Sequence, residues 1–254
     1  MTDTLIVATH SYHGGTGKSN ITANLAYEAA KKGKIVGVID SDLPSPGIHL
    51  LFGENHPKMS LNGVIFKKYP LEKAIIDVTP TDVNNPGKIF LIPGSTNPID
   101  IAKVIKDGYA SKLLIETYSE FCEERNLDLL FLDSHPGLSE ETLISIKISD
   151  LLFILLRPDR QDYQGTDITV DVSLKIGVSE MKCIVNKVIN SIDKNKLKIK
   201  MEKRYGIECL AVLAQSDEIM KYEGSGLFCN QEPDHDLTND LRSVCEYILR
   251  FRKS

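Results

Sequence analysis

Seven short runs dominated by valine, isoleucine and leucine recur along the chain: Leu5–Ala8, Ile35–Ile39, Ile89–Ile92, Leu129–Leu132, Leu151–Leu156, Cys183–Val185 and Leu210–Leu213. None alternates apolar with polar residues, as a strand wet on one face would, so each is expected to be a strand buried on both faces. Helical spacing fills the intervals. Ile21, Leu25 and Ala29 stand four apart, as do Leu114 and Tyr118 ahead of Phe121, Cys122 and Arg125. Near the end, Leu237, Leu241, Val244, Cys245 and Ile248 fall on one stripe. Alternating strands and helices need crossover connections, which are right-handed. The expected fold is therefore α/β: a single doubly wound, mostly parallel sheet of about seven strands, flanked by helices on both faces. No repeat, low-complexity tract or linker divides the chain, so one domain over residues 1–254 is expected.

Composition narrows the setting. Hydrophobic residues at 42% and charged residues at 26% are ordinary for a globular protein that buries a sizeable core. A net charge of −5 supplies no overall attraction to nucleic acid or anionic membrane. Five cysteines without a Cys-x-x-Cys pair argue against a disulfide framework and a thiolate metal site, and fit a reducing compartment. The start lacks a basic flank and a long apolar run, as a signal peptide would have, and no run approaches the ~20 residues of a membrane span. A cytoplasmic location is expected.

The Pro/Gly-rich pieces at Leu43–Gly47, Asn84–Gly87, Pro93–Pro98 and Ser134–Gly137 lie near strand ends. Most follow a strand, on the edge where open α/β sheets bind ligands. Gly14-Gly15-Thr16-Gly17-Lys18-Ser19 follows the first strand and opens the first helix, the context a phosphate-binding P-loop requires. Glycines let backbone N–H groups turn inward around phosphate oxygens, and the helix N-terminus adds unsatisfied donors. In that pattern Lys18 meets the β- and γ-phosphates and the Ser19 hydroxyl ligates Mg²⁺.

Two further strand ends carry acids. Ile35–Ile39 runs into Asp40-Ser41-Asp42, where one carboxylate can face a metal while the other orients a water or fixes the loop. The same residues also suit a turn of solvated acids. Leu129–Leu132 runs into Asp133-Ser134-His135-Pro136-Gly137, and Asp133 has the place of a Walker B carboxylate that holds Mg²⁺ through its waters. Asn186, at another strand end, has an amide able to pair with a base edge, or to cap a plain turn.

His13-Gly14-Gly15-Thr16-Gly17-Lys18-Ser19 resembles the deviant P-loop of the MinD/ParA ATPases, Lys-Gly-Gly-x-Gly-Lys-Ser/Thr. The Asp-x-Asp loop, the Asp-x-x-Pro-Gly loop and Asn186-Lys187 follow in the family's order, so the resemblance covers nearly the whole chain. Members of that family tolerate a residue such as Tyr12 where the general pattern has glycine. The departure is His13, which stands where the family's signature lysine reaches across an ATP-sandwich dimer to the partner's phosphates. The resemblance implies that Gly14, Gly15, Thr16, Gly17, Lys18, Ser19 and Asn20 bind ATP or ADP, with Asn20 donating to the α-phosphate and Asn186 reading adenine. It implies a metal set of Ser19, Asp42 and Asp133, and catalytic roles for Lys18, Asp42, Asp40 and His13. Asp42 would orient the attacking water, Asp40 would support Mg²⁺, and Gly137 would hinge a switch with Asp133 and Pro136, its N–H sensing the γ-phosphate. Guanine would want an aspartate two places after Asn-Lys, where Ile189 stands.

The resemblance implies an ATPase that dimerises around ATP and changes partners on hydrolysis, in division-site placement, DNA partition or metallocofactor insertion, with a regulatory protein still to be identified. With His13 in place of the lysine, hydrolysis is expected to be slow or partner-activated, the alternative being a non-hydrolysing, nucleotide-dependent binding module. The missing Cys-x-x-Cys counts against iron–sulfur carriage. A basic stretch over Lys182–Arg204 could meet DNA or lipid phosphates, but suits a solvated helix face better. The tail Ile248–Ser254 likewise reads as the end of a core-facing helix more than as a membrane anchor. No metal or catalytic constellation stands out among the six histidines.

Overall fold

A computed structural model describes residues 3–108, 111–222 and 225–253; Ser254, at the end of the basic tail, lies outside them. The first half runs β1 (Leu5–His10), α1 (Lys18–Lys31), β2 (Ile35–Asp40), α2 (Ile48–Leu51), α3 (Leu61–Ile65), β3 (Ile76–Asp77), β4 (Lys88–Ile92), α4 (Pro98–Asp107) and α5 (Ser111–Arg125). The second half runs β5 (Leu129–Asp133), α6 (Glu140–Ile148), β6 (Leu151–Leu156), α7 (Arg160–Lys175), β7 (Met181–Val188), α8 (Lys194–Tyr205), β8 (Glu208–Ala214), α9 (Glu218–Lys221), α10 (Phe228–Gln231) and α11 (Asp236–Arg250).

All seven expected strands are present in one eight-stranded sheet of order β3-β4-β2-β5-β1-β6-β7-β8. The eighth strand, Ile76–Asp77, pairs antiparallel with β4 at the edge, and the other neighbours are parallel. Two residues are too few to leave an apolar signature, which is why the eighth strand is not legible in the sequence.

The absence of alternation has its cause in the packing. Leu129 and Phe131 of β5 join Val7, Val36 and Phe153 on one face of the sheet, beneath α1 and α11. Leu130 and Leu132 join Ala8, Ile39 and Ile154 on the other, with Leu114, Tyr118 and Phe121 of α5. With helices on both faces, every position of a central strand gains about 1.5–3 kcal/mol by carrying a large apolar side chain. The α11 stripe of Leu237, Leu241, Val244, Cys245 and Ile248 is buried as expected, so the C-terminal helix spends its apolar face on the core.

The strand order also positions the loops. β2, β5 and β1 are adjacent, in register Asp40↔Asp133 and Thr9↔Asp133. Parallel pairing puts their C-terminal ends on one edge, so the Asp-x-Asp, Walker B and phosphate loops, far apart in sequence, become neighbours.

Candidate functional site

The phosphate loop leaves β1 at His10 and enters α1 at Lys18. Gly17, at the N-cap, has φ 96°, a left-handed conformation that favours glycine. A Cβ there would also sit 2.5 Å from Asn186 Nδ2, and that amide donates to the Thr16 carbonyl at 2.8 Å. Among the described residues no side chain caps α1, so its first N–H groups stay open to an anion. Tyr12 replaces a loop glycine by laying its ring on Gly165 of α7, where an added Cβ would meet Tyr12 Cδ1 at 2.4 Å. Asn20 Oδ1 accepts from Asn24 Nδ2 at 3.2 Å, which leaves the Asn20 amide N–H groups as donors.

The acids divide by partner. Asp40 is fully buried. Its Oδ2 accepts from the N–H groups of Gly47 at 2.9 Å and Ile48 at 3.3 Å, and its Oδ1 from that of Asp42 at 3.2 Å. Both oxygens are thus engaged by the loop they begin, the loop-fixing arrangement rather than the metal-supporting one expected of Asp40. Burial, then the charges of Asp133 and Asp42, raise its pKa well above the ordinary value despite the Gly47 and Ile48 N–H groups. Asp133 is pushed up to about 6 by burial, which outweighs Lys18 and the Ser19 hydroxyl. Among the described residues its Oδ1 is buried without a partner, as is Thr16 Oγ1. A buried carboxylate oxygen with no donor is costly unless something else binds it. Mg²⁺ fits that place: it takes one or two carboxylates and completes its shell with water and substrate phosphates. Among the described residues no cluster of three or more His, Cys, Asp or Glu could chelate a metal alone.

Three of the six histidines converge on this edge, which their scattered positions in the sequence do not disclose. His10, at the end of β1, is fully buried and held neutral, its pKa pushed down to about 3 by burial and by Lys18 and His135. Ser134 Oγ donates to the Thr9 carbonyl at 2.8 Å, so it can only accept from His10 Nδ1 at 3.2 Å. His13 Nδ1 lies 2.9 Å from Oδ1 of Asp162. The guanidinium and N–H of Arg157 clasp the same carboxylate, with 2.7 Å from the N–H to Oδ2. Burial of Asp162 is outweighed by these Arg157 bonds and by His13, so it lies below the usual carboxylate range. His135 Nδ1 lies 2.7 Å from Asp42 Oδ1. The one available signal for Arg157 and Asp162 is their place just after the β6 run, the strand end passed over in the sequence reading.

Gly137 has φ 83° and donates its N–H to the Ser11 carbonyl at 3.1 Å, so that N–H is engaged within the loops rather than free for a phosphate as expected. Pro136 lies next to Gly14, 3.9 Å from where a Cβ would stand.

A family model for ParA, described as an NUBPL iron-transfer P-loop NTPase, matches residues 3–249. The chain belongs to the ParA family of P-loop NTPases. An ATP-binding protein of Methanocaldococcus jannaschii is 27% identical over 186 residues, 73% of this chain and 65% of that protein. The flagellum site-determining protein YlxH of Helicobacter pylori is 31% identical over 161 residues, 62% of this chain and 49% of its own length. The chain thus spans less than two thirds of either relative. The fold matches that of the septum site-determining protein MinD of Pyrococcus horikoshii, complexed with Mg-ADP. That likeness has a TM-score of 0.82 at 20% identity, over 97% of this chain and 96% of the other.

Several features of this ParA-family chain lie away from the loops. Lys194–Tyr205 forms α8, which buries Leu197, Met201 and Tyr205. Around it Lys182 pairs with Glu180 and Glu208, Arg204 with Asp167, Lys194 with Asp240 and Lys196 with Asp193, so half of the eight cations from Lys182 to Arg204 have acidic partners within the chain. The five cysteines are free and buried. Among the described residues no helix is long and apolar enough to cross a membrane.

Proposed function

We propose that this chain is a slow, Mg²⁺-dependent ATPase that works as a nucleotide-controlled switch for dimerisation and partner binding. The observation that carries the proposal is the buried Asp133 carboxylate oxygen, without a partner among the described residues, beside Lys18 and Ser19 at the open end of α1. Lys18 and the open N–H groups would hold the β- and γ-phosphates, and Ser19 and Asp133 would hold Mg²⁺. The chemistry such an ion would supply there is neutralisation of the charge that develops on the transferred phosphoryl group. Asp42 would orient a water whose oxygen attacks the γ-phosphorus as the bond to the bridging oxygen breaks, giving ADP, inorganic phosphate and a proton. Asp40 would hold the loop that carries Asp42. Asn186, its Nδ2 already on Thr16, would keep Oδ1 to accept from the adenine amino group.

The names of relatives support a role in spatial organisation, since they include flagellum and septum site-determining proteins. We place the protein in the cytoplasm, acting as one domain, with an ATP-dependent homodimer and a regulatory protein as partners. The buried stripe of α11 argues against membrane attachment through that helix, and the acidic partners of half the cations near α8 weaken the case for DNA or lipid attachment there. The family model's iron-transfer description favours a second reading, metallocofactor insertion. Five buried cysteines, none in a Cys-x-x-Cys pair, count against it.

His13 sets the rate in this reading. The shorter imidazole is held by Asp162 within its own chain, and in this reading it does not reach a partner's phosphates as the longer lysine would. His13→Lys is expected to raise ATP turnover about 10-fold or more and to strengthen ATP-dependent dimerisation, since one preorganised charge at a transferring phosphoryl group has at least that value. Steady-state phosphate release and sedimentation of the variant with ATP measure both. Unchanged turnover and mass would show that His13 does not limit the reaction.

A further inference from the structure

The three consecutive residues Asp133, Ser134 and His135 reach three different places: the start of α1, the end of β1 and the loop after β2. Asp133 faces Lys18 and Ser19 of the phosphate loop. Ser134 is fixed to the end of β1, through its Oγ to the Thr9 carbonyl at 2.8 Å and to His10 Nδ1 at 3.2 Å. His135 reaches the third loop, where its Nδ1 meets Asp42 Oδ1 at 2.7 Å. The backbone that follows the imidazole is anchored at two points. Thr142 of α6 donates to the His135 carbonyl at 3.0 Å, and the Gly137 N–H is held by the Ser11 carbonyl.

We infer that His135 is a positioning residue for Asp42, a post on the Walker B loop that sets the carboxylate for its water; the inference rests on the functional reading above. A carboxylate only accepts, so Nδ1 of His135 is the donor. Asp42 Oδ1 also accepts from the Ser45 N–H at 2.9 Å, and two donors on one oxygen fix the rotation of the carboxylate group. Oδ2 takes no hydrogen bond among the described residues, and so stays available to the water. Asp40 holds the remainder of this loop through Gly47 and Ile48. Ser41 ties the same loop to the Asp133 carbonyl, through its Oγ at 2.9 Å and its N–H at 3.0 Å, while His135 holds the Asp42 carboxylate itself to the loop carrying Asp133. The ring touches neither phosphate nor water in this account. It acts through Asp42 alone.

The test compares His135→Ala with His135→Asn in the full chain. The asparagine amide nitrogen stands about where Nδ1 stood, and keeps the donor without the ring. His135→Ala should lower kcat for Mg-ATP by about 10–100-fold with KM and ATP affinity unchanged, the size expected for loss of a group that orients a ligand or catalytic side chain. Amide hydrogen exchange over residues 41–48 of the nucleotide-free protein should quicken in the same variant. His135→Asn should restore both kcat and slow exchange. Equal losses in the two variants, a loss confined to KM, or an unaltered exchange pattern would overturn the inference. A wild-type chain that does not hydrolyse ATP would instead overturn the functional reading, while the exchange comparison still decides whether His135 holds the loop.

Discussion

Lys18→Met is expected to weaken ATP binding by about 10²–10³-fold, the effect of removing one partner from a desolvated charge pair. Lys18 is buried at the first position of α1, 7% exposed, and its charge acts on both Asp133 and His10. Methionine keeps the length and apolar stem but not the ammonium, so the open N–H groups of α1 remain and the main cation facing the phosphates is lost. Removing the cation should also raise the Asp133 pKa further, because Lys18 is the largest influence opposing its burial. Titration calorimetry with ATP measures the first effect. A thermal melt confirms that the variant folds. Affinity within about threefold of the wild type, less than 1 kcal/mol, would mean the phosphates bind elsewhere.

Asp133→Asn should produce two effects of opposite sign. Mg²⁺-dependent turnover should fall by about 10–100-fold, as when a group holding a metal through its waters is lost. The nucleotide-free protein should become more stable at pH 8, by about 1–3 kcal/mol, because a fully buried carboxylate no longer has to be charged. The folded-state pKa of about 6 lies above the ordinary 3.8, so protonation favours the fold. The stability due to Asp133 is complete below pH 3.8 and is lost as pH rises through 6. The gain from the amide should therefore be about half present near pH 5 and full at pH 8. Chemical unfolding at the two pH values checks it. An equal gain at both would contradict the buried-charge account.

Much of the fold can be read in the sequence because burial on both faces forces whole strands to be apolar, which neither a surface helix nor a loop imitates. The phosphate loop is legible for a related reason: its glycines, lysine and serine must be contiguous to wrap one anion. Asp40, Asp42 and Asp133 could be found because they sit where apolar runs end. The histidine contacts could not. His10, His13 and His135 lie 124–149 residues or 93 residues from Ser134, Asp162 and Asp42, and only the order β2-β5-β1-β6 brings each pair together. The engagement of Asp40 by the Gly47 and Ile48 N–H groups is likewise a property of the folded loop, not of residue type. The antiparallel edge strand has two residues and depends on its neighbour β4.

The most direct test of the nucleotide-switch account is ATP turnover with Mg²⁺, measured alongside molecular mass by light scattering in ADP and in ATP. The account predicts slow turnover and a mass that doubles from the 28.3 kDa of one chain when ATP replaces ADP. Tight ATP binding with neither doubling nor turnover would contradict it, and would mark a monomeric nucleotide sensor instead.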